Sequence, residues 1–275
     1  MATQKYAVLD IGGPQPGGED KRYRAAAPHN GNYEVDAKGV PRVIPMGGAR
    51  TDFALLPAAT VTVATDLLIQ TVGTGTEVIA RSNKGGASVT TQSSTPTIGD
   101  NALLFGVSGS AMRAVIVASA GILFRAVVGF NTDVSTGWFG SFGLDENLTD
   151  ADPSGTAGDG AMFCFVPDGA AALTVATGLT AANHLCWICH TKVDGADAYQ
   201  ATAVPVQLNR DYLLEIQLGD DLKPKFYIDG VLVATGATAL TSGDTVGAKL
   251  GIENVEDSAQ NSFECRMVQV ARNIG

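Results

Sequence analysis

One short segment has the spacing of a cofactor attachment site. Cys186, Cys189 and His190 form a C-x-x-C-H sequence, in which two thiols bond to haem and the histidine binds its iron. The surrounding residues, HLCWICHTKV, are typical of a β-strand, where neighbouring side chains alternate between two faces. The two thiols would then lie on opposite faces. We therefore predict core packing of small apolar side chains rather than haem attachment.

Two kinds of metal site remain as alternatives. Zinc could be bound by Cys186 or Cys189 together with Cys164, Cys265 or His190, although structural zinc sites usually draw on two close pairs of ligands. The polar segment 145–160 begins like a calcium loop, but its twelfth position is Ala161 where an EF-hand needs glutamate. A looser site for calcium or a glycan in this segment would use Asp145, Asp150, Asp152 and Asp159.

Catalytic motifs are not found in the sequence. Sandwich enzymes that cleave glycans commonly carry Glu-x-Asp-x-Glu on one strand, because hydrolysis needs an acid and a nucleophile close together. That string is absent, as are the nucleophile elbow G-x-S-x-G and the phosphate-binding G-x-x-x-x-G-K-[ST]. We predict a protein that is not an enzyme and has no cofactor or resident metal.

The charge of the chain limits its partners. A net charge of -10 and a pI near 4.7 argue against nucleic acid, whose phosphates bind clustered Lys and Arg. Residues 1–50 differ from the rest, since they hold seven basic and five acidic residues. The most apolar segment, 114–130, contains Ser119 and Arg125 and is shorter than a membrane span. We expect neither nucleic acid nor a membrane as a partner.

The segment 211–235 gives the strongest structural signal. Tyr212, Leu214, Ile216 and Leu218 recur at every second position with Glu215 and Gln217 between them, which predicts a strand with one buried face. Two further short strands flank Asp229-Gly230, a dipeptide typical of a type I′ turn. In a two-residue hairpin Ile228 would face Val231 and Phe226 would face Val233. Similar apolar runs recur to the C-terminus, so we predict roughly a dozen strands in a β-sandwich.

The chain divides into three stretches by composition. Residues 1–50 are rich in Gly and Pro and have no sustained periodicity, which favours an extended N-terminal arm that orders on a neighbour. Residues 51–95 are a β-rich connecting region that could belong to the sandwich, and 96–275 form the sandwich itself. The arm residues predicted to bind a partner are Tyr6, Lys21, Arg22, Tyr23, Arg24, Tyr33, Arg42 and Arg50.

The C-terminal part of the sequence resembles a known fold family. YLLEIQLGDDLKPKFYIDGVLVAT, a strand at 248–252 and the closing FECRMVQVARN are similar to the end of concanavalin A-like jelly rolls. GFNTDVSTGWFGSFGL and GDGAMFCF resemble the middle of bacteriophage structural proteins built on that sandwich. The resemblance covers roughly residues 100–275 and implies two antiparallel sheets. It also implies a core containing Trp138, Phe163, Phe165, Trp187, Phe226 and Ile228.

This resemblance implies a non-enzymatic virion structural protein. We expect a capsid cement or decoration protein that is made in the host cytoplasm and lies on the capsid surface. Its arm would bind the major capsid protein, and a homo-oligomer, most simply a trimer, would multiply weak contacts. The alternative is a carbohydrate-binding, lectin-like module of a phage tail or fibre, using the segment 145–160 and aromatic residues such as Tyr199.

Overall fold

A computed structural model describes the strands of this chain and much of the sandwich in full. Side chains are described for residues 116–130, 140–147, 158–165, 185–253 and 262–271, and other strands by backbone alone. The chain divides into two compact units, one of residues 1–51 with 273–275 and one of residues 52–272. Among the described residues, no helix has the length and hydropathy needed to span a membrane.

Nearly all of the described backbone is β-strand, with one short 3₁₀ turn at Ala118–Ala120. The strands are β1 (Tyr23–Ala26), β2 (Asn32–Val35), β3 (Pro41–Ile44), β4 (Ala49–Leu55), β5 (Ile69–Val72), β6 (Thr76–Arg81), β7 (Ala87–Gln92), β8 (Asn101–Leu104), β9 (Ile116–Val117), β10 (Ile122–Gly129), β11 (Trp138–Asp145), β12 (Gly160–Phe165), β13 (Cys186–Val193), β14 (Ala196–Pro205), β15 (Asp211–Leu218), β16 (Pro224–Ile228), β17 (Val231–Thr235), β18 (Thr245–Asn254) and β19 (Ser262–Asn273).

The larger unit is built from two antiparallel sheets. Sheet I runs in the order β17-β16-β15-β10-β19-β7-β6, and sheet II in the order β14-β13-β12-β11-β18-β8-β5. Neighbouring strands are often distant in sequence, as where β10 lies between β15 and β19. The predicted all-β sandwich of two antiparallel sheets is therefore confirmed.

The core lies between the sheets and is centred on Trp187. Its ring centroid lies 5.5 Å from that of Tyr212 on sheet I and 5.8 Å from those of Phe130 and Phe142. Such edge-on and tilted pairs each add about 0.5–1.5 kcal/mol to the burial of the rings themselves. Five predicted core residues are fully or almost fully buried, namely Phe163, Phe165, Trp187, Phe226 and Ile228. The side chain of Trp138 lies outside the described residues.

The hairpin of β16 and β17 follows the prediction in its turn but not along its length. Asp229 and Gly230 have φ angles of 51° and 81°, and Ile228 pairs with Val231 as predicted. The pairing of Phe226 with Val233 is wrong, because a β-bulge shifts the register by one residue and places Ala234 opposite Phe226. The bulge leaves Ala234 buried.

Within residues 1–50, the stretch expected to be an extended arm, the structure describes short strands. β1, β2 and β3 form a three-stranded antiparallel sheet, in which Arg24 pairs with Glu34 and Glu34 with Arg42. Each strand has only four residues and Pro or Gly lies between them, so no periodicity of useful length appears in the sequence. β4 spans the boundary between the two units.

Candidate functional site

The outer face of sheet II, turned away from the core, carries most of the described ionisable side chains of that sheet. Because residues alternate along a strand, the core position of Leu144 places Asp145 on the outer face, and that of Cys189 does the same for His190. Strand pairing then aligns Asp145, Gly160, Lys192 and Asp197 in one row across β11 to β14. A second row pairs His190 with Tyr199.

A buried ion-pair cluster occupies one end of this face. Lys192 Nζ donates to Asp145 Oδ1 at 2.9 Å, and Lys249 Nζ donates to Asp145 Oδ2. All three side chains have no solvent exposure. Buried charges have lost their hydration, so removing one member of a pair leaves the other charge uncompensated and destabilises the fold. Asp145 therefore joins three strands, β11, β13 and β18, through charge.

Gly160 makes the contact between Asp145 and Lys192 possible. The two residues lie on strands separated by β12, and Gly160 is the β12 residue between them. A Cβ at Gly160 would lie 3.1 Å from Asp145 Oδ1 and 3.0 Å from Met162 Cε. The missing side chain leaves the space through which the Lys192 ammonium reaches the carboxylate.

Next to this cluster, His190 is held between a carboxylate and an aromatic ring. Its Nε2 lies 2.8 Å from Asp197 Oδ1, and its ring stacks on Tyr199 with centroids 4.3 Å apart and planes 8° from parallel. Burial lowers the pKa of His190, and the hydrogen bond to Asp197 opposes that shift. Within the described residues, Nδ1 of His190 is buried without a hydrogen-bond partner.

A group of carboxylates lies at the end of sheet II where β11 and β13 end and β12 and β18 begin. Oxygens of Asp159, Asp194 and Asp244 lie within 4.8 Å of one another. Asp159 Oδ1 accepts from the Asp194 backbone N–H at 2.8 Å, and Asp159 N–H donates to Glu146 Oε2 at 3.0 Å. Desolvation, followed by the charges of Asp159, Glu146 and Asp194, raises the pKa of Asp244. Such oxygen ligands could hold a hard divalent cation.

Two of the four residues predicted for a calcium or glycan loop are described, and their side chains have different partners. Asp159 belongs to the carboxylate group with Asp194 and Asp244, whereas Asp145 is bonded to two lysines. Asp150 and Asp152 lie outside the described residues. Asp194 precedes a glycine and Asp244 follows one, and neither pattern in the sequence indicates a shared ligand site.

The C-x-x-C-H segment forms the strand predicted for it. Cys189 lies in the core beside Trp187, while His190 lies on the outer face. Burial raises the pKa of the Cys189 thiol well above its usual range and that of Cys265 to about 12. All four cysteines are in the described part of the chain, and none forms a disulfide there. A haem cannot bond to thiols on opposite faces of one strand.

The predicted arm residues fall in two groups. Tyr23 and Arg24 lie on β1, Tyr33 on β2, Arg42 on β3 and Arg50 on β4. Tyr6, Lys21 and Arg22 lie outside the described residues.

Comparisons with known proteins identify the fold. Neither a scan of protein-family models nor a search of curated proteins gave a match. Among solved structures, a protein of unknown function from Shewanella oneidensis MR-1 is similar with a TM-score of 0.55 at 10% identity, covering 82% of this chain and 88% of that one. The carbohydrate recognition domain of Emp47p gives 0.51 at 11% identity, covering 80% and 95%.

A β-glucanase from Bacillus licheniformis is also similar, with a TM-score of 0.48 at 12% identity over 82% of this chain and 98% of that one. The two antiparallel sheets, together with the likeness to the Shewanella protein and to the Emp47p domain, give this chain the concanavalin A-like jelly-roll fold that the sequence predicted. Likeness at this level of identity shows the fold alone.

Proposed function

We propose that this chain is a non-catalytic carbohydrate-binding module that contacts glycans at the outer face of sheet II. The observation that supports this is the arrangement of Tyr199, His190 and Asp197, which places a fixed aromatic ring beside a carboxylate on an accessible strand. Tyr199 is half-buried, and the Asp197 side chain retains 22% exposure.

The chemistry of these groups suits a sugar. A pyranose ring presents C–H groups on its faces and hydroxyls at its rim, so it packs on aromatic rings and bonds to carboxylates in the same plane. Tyr199 is held by the parallel imidazole of His190, so little side-chain entropy remains to be lost when a ligand packs against it. The half-buried ring and polar neighbour match the usual make-up of small-ligand sites.

The engagement of two carboxylates of this face supports binding without cleavage. Glycoside hydrolysis needs one carboxyl group to donate a proton and another to attack or to activate water. Each oxygen of Asp145 accepts from a lysine ammonium, and Asp197 is bonded to His190. Neither carboxylate is placed to attack a sugar.

A glycan array with the full chain, followed by calorimetric titration of the best ligand, tests this proposal. We expect Tyr199→Ala to weaken binding about tenfold, which is the loss of roughly 1.4 kcal/mol of aromatic packing. Tyr199→Phe is the matched control, because it keeps the ring and should stay within about threefold of the parent affinity. Equal affinity of the alanine variant and the parent would place the ligand elsewhere, and binding to no glycan would reject the function.

A second candidate is the virion decoration protein that the sequence resembles. It is favoured by the division of the chain, because residues 1–51 belong to a compact unit of their own and carry the predicted partner-binding residues. Co-sedimentation of the full chain with capsid shells that lack this protein tests it. Arg24→Glu with Arg42→Glu should abolish pelleting in low salt if this unit binds the shell, and unchanged pelleting would exclude these residues from the contact.

A further inference from the structure

Two edge strands form one open side of the sandwich. β14 ends sheet II and β17 ends sheet I, and the two strands lie against each other. In the described part of the chain, β13 is the only strand that pairs with β14, and β16 the only one that pairs with β17. We call the surface formed by β14 and β17 the open side.

The open side lacks the features that usually protect sheet edges. Natural edge strands carry lysines, prolines or inward-pointing charges, because an unprotected edge pairs readily with another strand. The fifteen residues ADAYQATAVP and VLVAT contain one charged residue, Asp197, and one proline at the very end of β14. Val231 and Leu232 are 65% and 51% exposed, and Ala196 and Ala198 are also exposed.

Charge indicates which partner fits this side. With a net charge of -10, two copies of the chain repel each other over most approaches. The open side is the exception, because Asp197, which is hydrogen-bonded to His190, is the one side chain of β14 and β17 that is charged at neutral pH. A second copy can therefore approach here with little electrostatic cost. The edge of a strand can also pair in antiparallel register with the same edge of a second copy, because a two-fold axis relates the two strands.

We propose that the open side is a dimer interface at which β14 pairs with β14 of a second copy, in antiparallel register. The regular part of the strand is Ala196–Ala201, before the register shift opposite Cys186 and Ile188. Six residues span about 20 Å, which is enough for a paired edge. Sheet II then continues through both copies, and β17 of each copy covers exposed aliphatic side chains of the other. This dimer does not depend on glycan binding.

Analytical ultracentrifugation of the full chain over a wide concentration range tests the interface. We expect a reversible species of twice the chain mass of 28.3 kDa. Ala198 lies near the centre of the regular segment, so Ala198→Lys brings two like charges together across the two-fold axis and should weaken dimerisation at least about tenfold. Ser119→Lys adds the same charge at an exposed residue outside both edge strands and should leave the dissociation constant within about threefold.

Hydrogen exchange supplies a readout that does not depend on the variants. Backbone amides of β14 should become more protected as the concentration of the parent chain rises, and those of Ser119 and its neighbours should not. A monomer at all concentrations would overturn the proposal, as would a trimer. A dimer that tolerates Ala198→Lys with unchanged β14 exchange would also overturn it, because its interface would then lie elsewhere.

Discussion

Removing the charge of Asp145 should be among the most destabilising conservative changes in this protein. Asp145→Asn keeps the size and shape of the side chain but replaces a carboxylate that binds Lys192 and Lys249, all three without solvent exposure. Loss of one member of a buried ion pair typically costs 3–5 kcal/mol, because the remaining charge is left without compensation. With two ammonium groups affected, we expect a loss of about 4 kcal/mol in the free energy of unfolding.

Urea unfolding followed by circular dichroism measures this loss, provided that the slope of the transition is unchanged. For a sandwich of this size, the same loss lowers Tm by roughly 10 °C. Asp221→Asn is the matched control, since Asp221 pairs with Lys225 at 3.7 Å on the surface and should cost under about 0.5 kcal/mol. A loss below about 1 kcal/mol for Asp145→Asn would refute the claim that this carboxylate holds three strands together through charge.

Three further predictions concern titration and packing on sheet II and at its end. Burial lowers the pKa of His190 in the folded state, so on acidification the imidazole is protonated in the unfolded chain before it is protonated in the folded one. The free energy of unfolding should therefore fall as the pH drops below about 6.5. His190→Gln should reduce that fall in urea unfolding experiments. The pKa of Asp244 is raised, so its charge costs stability at neutral pH and less as acidification protonates it. Asp244→Asn should therefore stabilise the protein at pH 7, with a gain that shrinks towards pH 4, and a constant gain at both pH values would contradict this. Gly160→Ala should lower the unfolding free energy by about 1–3 kcal/mol, because its methyl group crowds Asp145, and an unchanged value would show that the row relaxes freely.

Local patterns in the sequence predicted the parts of the fold that depend on neighbouring residues. Alternation from Tyr212 to Leu218 and the Asp229-Gly230 turn were sufficient to place β15 and the hairpin turn between β16 and β17. The bulge in the pairing of β16 with β17 was not predictable, because no residue type in the segment signals it. It accompanies the packing of Ala234 against the core.

The candidate sites depend on pairings between strands that are distant in the chain, and this is why local sequence patterns predicted them less well. Asp145 and Lys249 are more than one hundred residues apart and meet only because β18 pairs with β11. Asp159, Asp194 and Asp244 come from three separate connections between strands. Tyr199 was predicted as an aromatic glycan contact, but its stacking on His190 requires the register of β13 with β14.

The central claim is that glycans bind on the outer face of sheet II beside Tyr199. Chemical-shift mapping of the isotope-labelled full chain during titration with an array-selected glycan tests it most directly. We predict that the largest shifts occur in amides of β13 and β14 around His190, Asp197 and Tyr199, and that Tyr199→Ala removes them. Shifts confined to the carboxylate group of Asp159, Asp194 and Asp244, or no shifts at all, would contradict the account.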